Sequence, residues 1–214
     1  MRQSLKVWAE LGFSFDVVST GMILSAEQAA LVSDFCEQSA KKGALVFVDP
    51  IMGDEGKLYN GVGEETIAHM RKMVAVADCI VPNYTEAAYL ADVPYHEDMT
   101  EEEARALTIR LHEMGAKSVV VTSAKVDGEN CVVGYDGTEG EFFRIPFDLI
   151  PVRFVGTGDI FAAVMLGRLV DGVPLQESTH RAMDAVRTMI DRNRDKEDKY
   201  LGIPIETCLE VLDE

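Results

Sequence analysis

A chain of 214 residues is long enough for one domain with a sizeable core. Its 37 acidic and 20 basic side chains leave a net charge of −17, which opposes approach to nucleic acid or an anionic membrane, so neither is an expected partner. An anionic substrate would need local shielding, most simply by a divalent cation. No signal peptide opens the chain and no apolar run approaches a membrane span, which points to the cytoplasm.

Residues 2–11 suit a short helix, and Phe15–Ser19 reads as a strand. Ser25 is a candidate N-cap for a helix from Ala26 to about Lys42, with Glu27 and Gln28 in its first turn. Ala44–Val48 is a continuous apolar run, as expected of a strand covered on both faces. It ends in Asp49-Pro50, and a looser Gly-Asp-Glu-Gly-Lys-Leu-Tyr segment follows. Glu64–Val76 is amphipathic and helical in pattern. Cys79–Val81 is a short strand closed by Pro82-Asn83, and either Asn83 or Thr85 caps a helix through Leu90. Thr100 and Glu103 form a capping box for a helix that runs to Met114 and stops at Gly115.

Ser118–Thr122 is a third buried strand. Cys131–Tyr135 and Glu141–Ile145, separated by Asp136-Gly137, read as an antiparallel pair. Helices are expected from Gly156 onward, from about Leu175 to Arg192, and from Pro204 to Leu212. Four scattered cysteines, Cys36, Cys79, Cys131 and Cys208, carry no zinc or disulfide pattern. Alternating strands and helices with buried strands predict one α/β domain over residues 1–214, a three-layer α/β/α sandwich with a mostly parallel central sheet.

Ligands of such sheets bind beyond the carboxyl ends of the strands. That rule singles out Asp49, Asn83 and Thr122, with the glycine loop expected at the same edge. Asp49, with Asp54 and Glu55 just beyond, suits a metal ion or its water shell, or equally a helix or turn cap. Asn83 and Glu86, three apart at a strand-to-helix junction, are hard oxygen ligands suited to Mg²⁺, or an N-cap with a first-turn acid. Thr122 and Ser123 place two hydroxyls where they could donate to phosphate oxygens; a simple turn would also use them.

The glycines of Gly156-Thr157-Gly158-Asp159 let the backbone approach a ligand closely, and the apolar run after them, with Phe161, Val164, Met165 and Leu169 at helical spacing, makes this a helix start. Its unpaired N–H groups and dipole form an anion site. Asp159 can cap the helix, or take a proton from a substrate hydroxyl as that oxygen attacks phosphorus. Together these residues describe Mg²⁺-assisted phosphoryl transfer from a nucleotide to a small alcohol.

Asp49-Pro-Ile-Met-Gly-Asp54, Pro82-Asn83-Tyr-Thr-Glu86 and Gly156-Thr-Gly-Asp159 resemble three signatures of the ribokinase-like superfamily, in this order. The first of them, with Gly56-Lys-Leu-Tyr59 beyond it, and Thr20-Gly21 followed by Ser25 resemble the pyridoxal kinase branch in particular. The resemblance implies ATP-dependent phosphorylation of the 5′-hydroxymethyl of pyridoxal, pyridoxine or pyridoxamine, by a homodimer using ATP and Mg²⁺. It implies Asp159 as the base, and Gly156, Thr157 and Gly158 as the anion hole. Asn83, Glu86, Thr122 and Ser123 would lie at the ATP phosphates, with Val152 and Phe154 as an adenine wall. Asp49, Asp54 and Glu86 would serve the metal, and Gly21 with Asp159 the substrate. Family members carry a strand, a helix and a lid hairpin ahead of the segment matching Met1, so the expected fold is N-terminally truncated on its vitamin side. The alternatives are a hydroxymethylpyrimidine or sugar kinase of the same fold, or a nucleotide-binding remnant without catalysis.

Overall fold

A computed structural model describes residues 1–212, and the chain divides into two compact units, Met1–Pro146 and Phe147–Glu214. The first unit contains α1 (Arg2–Glu10), β1 (Val17–Thr20), α2 (Ala26–Ala40), β2 (Leu45–Val48), β3 (Gly53–Asp54) and β4 (Lys57–Leu58). It continues through α3 (Glu64–Val74), β5 (Cys79–Ile80), α4 (Tyr84–Ala91), α5 (Glu101–Glu113), β6 (Ser118–Val126), β7 (Glu129–Asp136) and β8 (Glu141–Pro146).

The main sheet has the order β1-β2-β5-β6-β7-β8. Its first four strands are parallel, and β7 and β8 add on antiparallel. Alternation assigns Val46, Val48, Ile80, Val119 and Val121 to one core, where they meet Met70, Met73, Leu90, Leu107 and Leu111. The intervening Phe47, Cys79, Val120 and Val132 are buried as well, so both faces of these strands are shielded from water. That double burial is why they read as unbroken apolar runs. All four cysteines are free and buried.

The helices begin where local signals place them. Ser25 Oγ accepts the Gln28 N–H, and Thr100 with Glu103 forms the expected capping box. Strands differ more from expectation. β6 does not stop at Thr122 but runs to Val126, because a bulge at Thr122-Ser123 lets it continue as a hairpin with β7. The segment after Asp49 is not simply loose. It folds as the small antiparallel hairpin β3–β4, turned by Glu55 and Gly56, both at positive φ.

The second unit holds α6 (Thr157–Val170) and α7 (Leu175–Asn193) around Phe154, Ile160, Met189 and Ile203. The expected helix from Pro204 to Leu212 is instead two 3₁₀ turns, Ile205–Thr207 and Leu209–Leu212. The Thr207 N–H and hydroxyl both donate to Pro204 O, which closes the tight turn, and buried Cys208 interrupts the helical path with φ −133°. Among the described residues, no helix is long and apolar enough to cross a membrane.

Candidate active site

Because β1, β2 and β5 are parallel, their carboxyl ends share one edge, and Gly21, Asp49 and Asn83 stand there in the first unit. The Asp49 N–H donates to Thr20 O at 3.0 Å, and Asn83 forms a parallel bridge with Thr122, whose N–H donates to Pro82 O at 3.0 Å. Four of the expected positions are thus gathered by the sheet itself.

The densest polar cluster is built on the first turn of α4. Asn83 caps the helix, its Oδ1 accepting the Glu86 N–H at 3.0 Å, while Glu86 Oε2 accepts the Asn83 N–H at 2.9 Å. Glu86 Oε1 reaches across the chain to the hairpin, accepting from Met52 N at 2.9 Å and Gly53 N at 3.4 Å. Asn83 Nδ2 donates to Gly53 O at 2.8 Å. Asp54, the next residue, therefore starts from an anchored backbone, and its Oδ1 accepts the Glu55 N–H at 2.9 Å.

Glu86 is 3% exposed. Burial is the largest influence on its carboxyl, which is pushed up to about 7; Asp49 adds to the rise, and the N–H groups of Met52, Asn83 and Gly53 oppose it. Asp49 at the end of β2 and Glu86 in the first turn of α4 are thus electrostatically coupled. Tyr95, stacked on Tyr84 with centroids 4.8 Å apart, is raised by burial and then by Asp54, Glu97 and Glu55.

The bulge in β6 is the other local feature of this edge. Thr122 and Ser123 together face Val132, and Ser123 adopts φ 55°. A non-glycine residue in that region is uncommon and turns its side chain out of the ladder. Thr122 is half-buried and Ser123 exposed.

In the second unit, Gly156 is the N-cap of α6 at φ 84°, a conformation that glycine adopts without penalty. No side chain caps this helix; its first internal bond runs from Ile160 N to Gly156 O. Thr157 is half-buried, and Gly158 and Asp159 are exposed in the first turn. An uncapped, glycine-led helix start with an open carboxylate can bind an anion and accept a proton. Val152 packs on the core of this unit, and Phe154 lies inside it, 3% exposed, with Lys199 Nζ 5.9 Å from its ring centroid. Phe154 thus buries its ring in the unit's own core.

A model of the phosphomethylpyrimidine kinase family matches residues 3–202. The chain belongs to that family. Pyridoxal kinase of Arabidopsis thaliana is 32% identical over 171 residues, covering 76% of this chain and 53% of the plant protein. Pyridoxal kinase of Sus scrofa is 34% identical over 171 residues, 71% of this chain and 52% of its own. The chain thus spans about half the length of these curated relatives. Among solved structures, a Bacteroides thetaiotaomicron protein assigned to the phosphomethylpyrimidine kinases matches all of this chain and 74% of its own, with TM-score 0.95 and 32% identity. Its orthorhombic form, with pyridoxal, gives 0.93, again at 32% identity, over all of this chain and 76% of its own. Pyridoxal kinase from Lactobacillus plantarum matches 99% of this chain and 76% of its own, with TM-score 0.85 and 27% identity. The fold is the ribokinase-like α/β fold that the motifs imply.

Within this phosphomethylpyrimidine kinase fold, sequence reasoning passed over the hairpin and the hydroxyl of Thr85, whose Oγ1 accepts the Gly56 N–H at 2.8 Å. The Glu55-Gly56 pair between short apolar stretches was the available turn signal. Nothing in the sequence marks Thr85 beyond its candidacy as a cap. Among the described residues no three His, Cys, Asp or Glu side chains converge on a common metal position. A coupled pair of acids fits a different arrangement, a hydrated Mg²⁺ carried by nucleotide phosphates and met by one or two carboxylates.

Proposed function

We propose that this chain serves ATP-dependent phosphorylation of the 5′-hydroxymethyl group of pyridoxal, pyridoxine or pyridoxamine. The observation that carries the reading is the Asn83–Glu86 box, tied at once to the Asp54 hairpin and, through the Asn83 bridge, to Thr122. A purely structural cap needs no such convergence of acids and hydroxyls at strand ends.

On this reading Asp159 takes the proton of the acceptor hydroxyl as that oxygen attacks the γ-phosphorus. The bond from γ-phosphorus to the bridging oxygen breaks, and ADP leaves. The N–H groups of Thr157 and Gly158, with Gly156 shaping the turn, receive the charge of the transferring phosphoryl. Asn83, Thr122 and Ser123 orient the nucleotide phosphates. Asp49, Asp54 and Glu86 would face the water shell of a nucleotide-borne Mg²⁺ rather than ligate it together, and the ion when bound offsets phosphate charge. Gly21 belongs to the substrate side, and Val152 to the adenine. A base of this kind contributes about 10²–10⁴-fold, the rest coming from positioning and electrostatics. The setting is the cytoplasm. A homodimer belongs to the same reading.

The family match favours a second acceptor, hydroxymethylpyrimidine, through the same base, anion hole and metal acids. Equilibrium dialysis of ATP with and without Mg²⁺, followed by coupled turnover assays on pyridoxal, pyridoxamine and hydroxymethylpyrimidine, tests both. Magnesium-dependent nucleotide binding with preferential turnover of the pyridoxals is expected. Preference for the pyrimidine would select the second reading, and an absence of magnesium-dependent binding would overturn both.

A further inference from the structure

Asp54 sits between two anchored points of its hairpin. On one side Gly53 is fixed by Asn83 Nδ2 at its carbonyl and by Glu86 Oε1 at its N–H. On the other side Gly56, at φ 76°, donates its N–H to Thr85 Oγ1 at 2.8 Å and accepts Tyr89 OH at 3.5 Å. A Cβ added to Gly56 would stand 3.0 Å from the Tyr95 ring, so the turn is seated closely as well as hydrogen-bonded. Thr85 is 2% exposed. Because Asn83 takes the capping role at α4, the Thr85 hydroxyl is available to the hairpin. Asn83 and Glu86 hold the first strand of the hairpin; Thr85 holds its turn.

We propose that Thr85 is a positioning residue, whose hydroxyl latches the β3–β4 turn to α4 and so fixes where Asp54 stands as an acid for the hydrated cation of a magnesium nucleotide. This rests on the kinase reading above. Loss of the hydroxyl leaves the turn held by the longer Tyr89 hydrogen bond and by packing on Tyr95, which loosens Asp54 and weakens the metal site without touching the nucleotide.

The test compares Thr85→Val, Thr85→Ala and Thr85→Ser with the wild type, using amide hydrogen exchange at Gly56 and the Mg²⁺ concentration that half-saturates ATP binding. Losing one buried hydrogen bond predicts about tenfold faster Gly56 exchange and an about tenfold higher Mg²⁺ requirement in Val and Ala, against about threefold or less in Ser. Saturating Mg²⁺ restores ATP binding in all of them. Should Val fail to fold by its melting profile, Ala carries the comparison. A folded Val or Ala variant with wild-type Gly56 exchange, or with a wild-type Mg²⁺ requirement, overturns the assignment of Thr85. A wild type that binds no magnesium nucleotide overturns the kinase reading, and with it the metal-site role; Gly56 exchange then still decides whether the latch itself exists.

Discussion

The raised carboxyl of Glu86 makes the stability of the first unit depend on pH in an unusual direction. The ordinary value near 4.5 rises to about 7 in the folded chain, chiefly through burial. The folded protein therefore keeps its proton to higher pH than the unfolded chain does. The stability that this carboxyl contributes is fully present below about 4.5 and is lost as pH climbs through about 7. Each pH unit of that gap is worth about 1.4 kcal/mol, so the ionised side chain costs roughly 3 kcal/mol by pH 8. Urea unfolding followed by the fluorescence of Trp8, which packs on Phe15 and Phe35 in this unit, measures it. Glu86→Gln supplies a side chain of the same shape that does not titrate. The Gln amide NH2 cannot accept where both Glu86 oxygens accept backbone N–H groups, so Gln carries a constant penalty and serves as the pH-independent reference. Between pH 5 and pH 8 the wild-type midpoint should drop relative to that of Gln by on the order of 1 M urea. Mg²⁺ with ATP should close that gap, because the cation favours the ionised form. A wild-type minus Gln difference that stays constant from pH 5 to 8 would refute the reasoning.

Replacing Asp159 by Asn should lower turnover by about 10²–10⁴-fold while ATP affinity is retained; near-normal turnover removes Asp159 from the mechanism. In Gly53→Ala the new Cβ would lie 2.3 Å from Lys57 O, a backbone atom. A loss of about 1–3 kcal/mol in urea unfolding is expected, together with faster amide exchange across β3–β4. Gly63→Ala, where a Cβ meets nothing within 4 Å but the glycine N-cap of α3 is replaced, is the milder comparison, at about 1 kcal/mol or less. Leu111→Ala empties a fully buried site on α5 and should cost about 2–5 kcal/mol by the same measurement.

What could be read in advance follows the distance over which each feature is decided. The caps at Ser25 and Thr100 are settled within four residues, and both stand where their side chains predict. The parallel strands are legible because burial on two faces writes itself as apolar runs. β6 overran its expected end because its continuation depends on β7, and the bulge at Thr122-Ser123 that allows it has no local signature. Pro204–Leu212 shows the reverse error, where apolar spacing suited a helix but the bonds from Thr207 to Pro204 closed a tighter turn. Phe154, expected through the resemblance as part of an adenine wall, is instead packed inside the second unit, where its apolar ring suits a core.

Asn83 and Glu86 explain why the capping and metal readings could not be separated at the level of sequence. The structural alternative for this pair was an N-cap with a first-turn acid, and the capping box is present. Yet that box uses one carboxylate oxygen, and the other extends to Met52 and Gly53, more than thirty residues back along the chain. A short polar residue in place of Glu86 could not span from α4 to the hairpin. The acid is therefore held in a buried position at a free-energy cost that helix capping alone does not demand, since exposed Glu103 completes the box of α5 with a lowered carboxyl. The contrast between two capping boxes in one chain, one with its acid raised and the other with its acid lowered, is the physical reason to look for chemistry at Glu86 and not at Glu103.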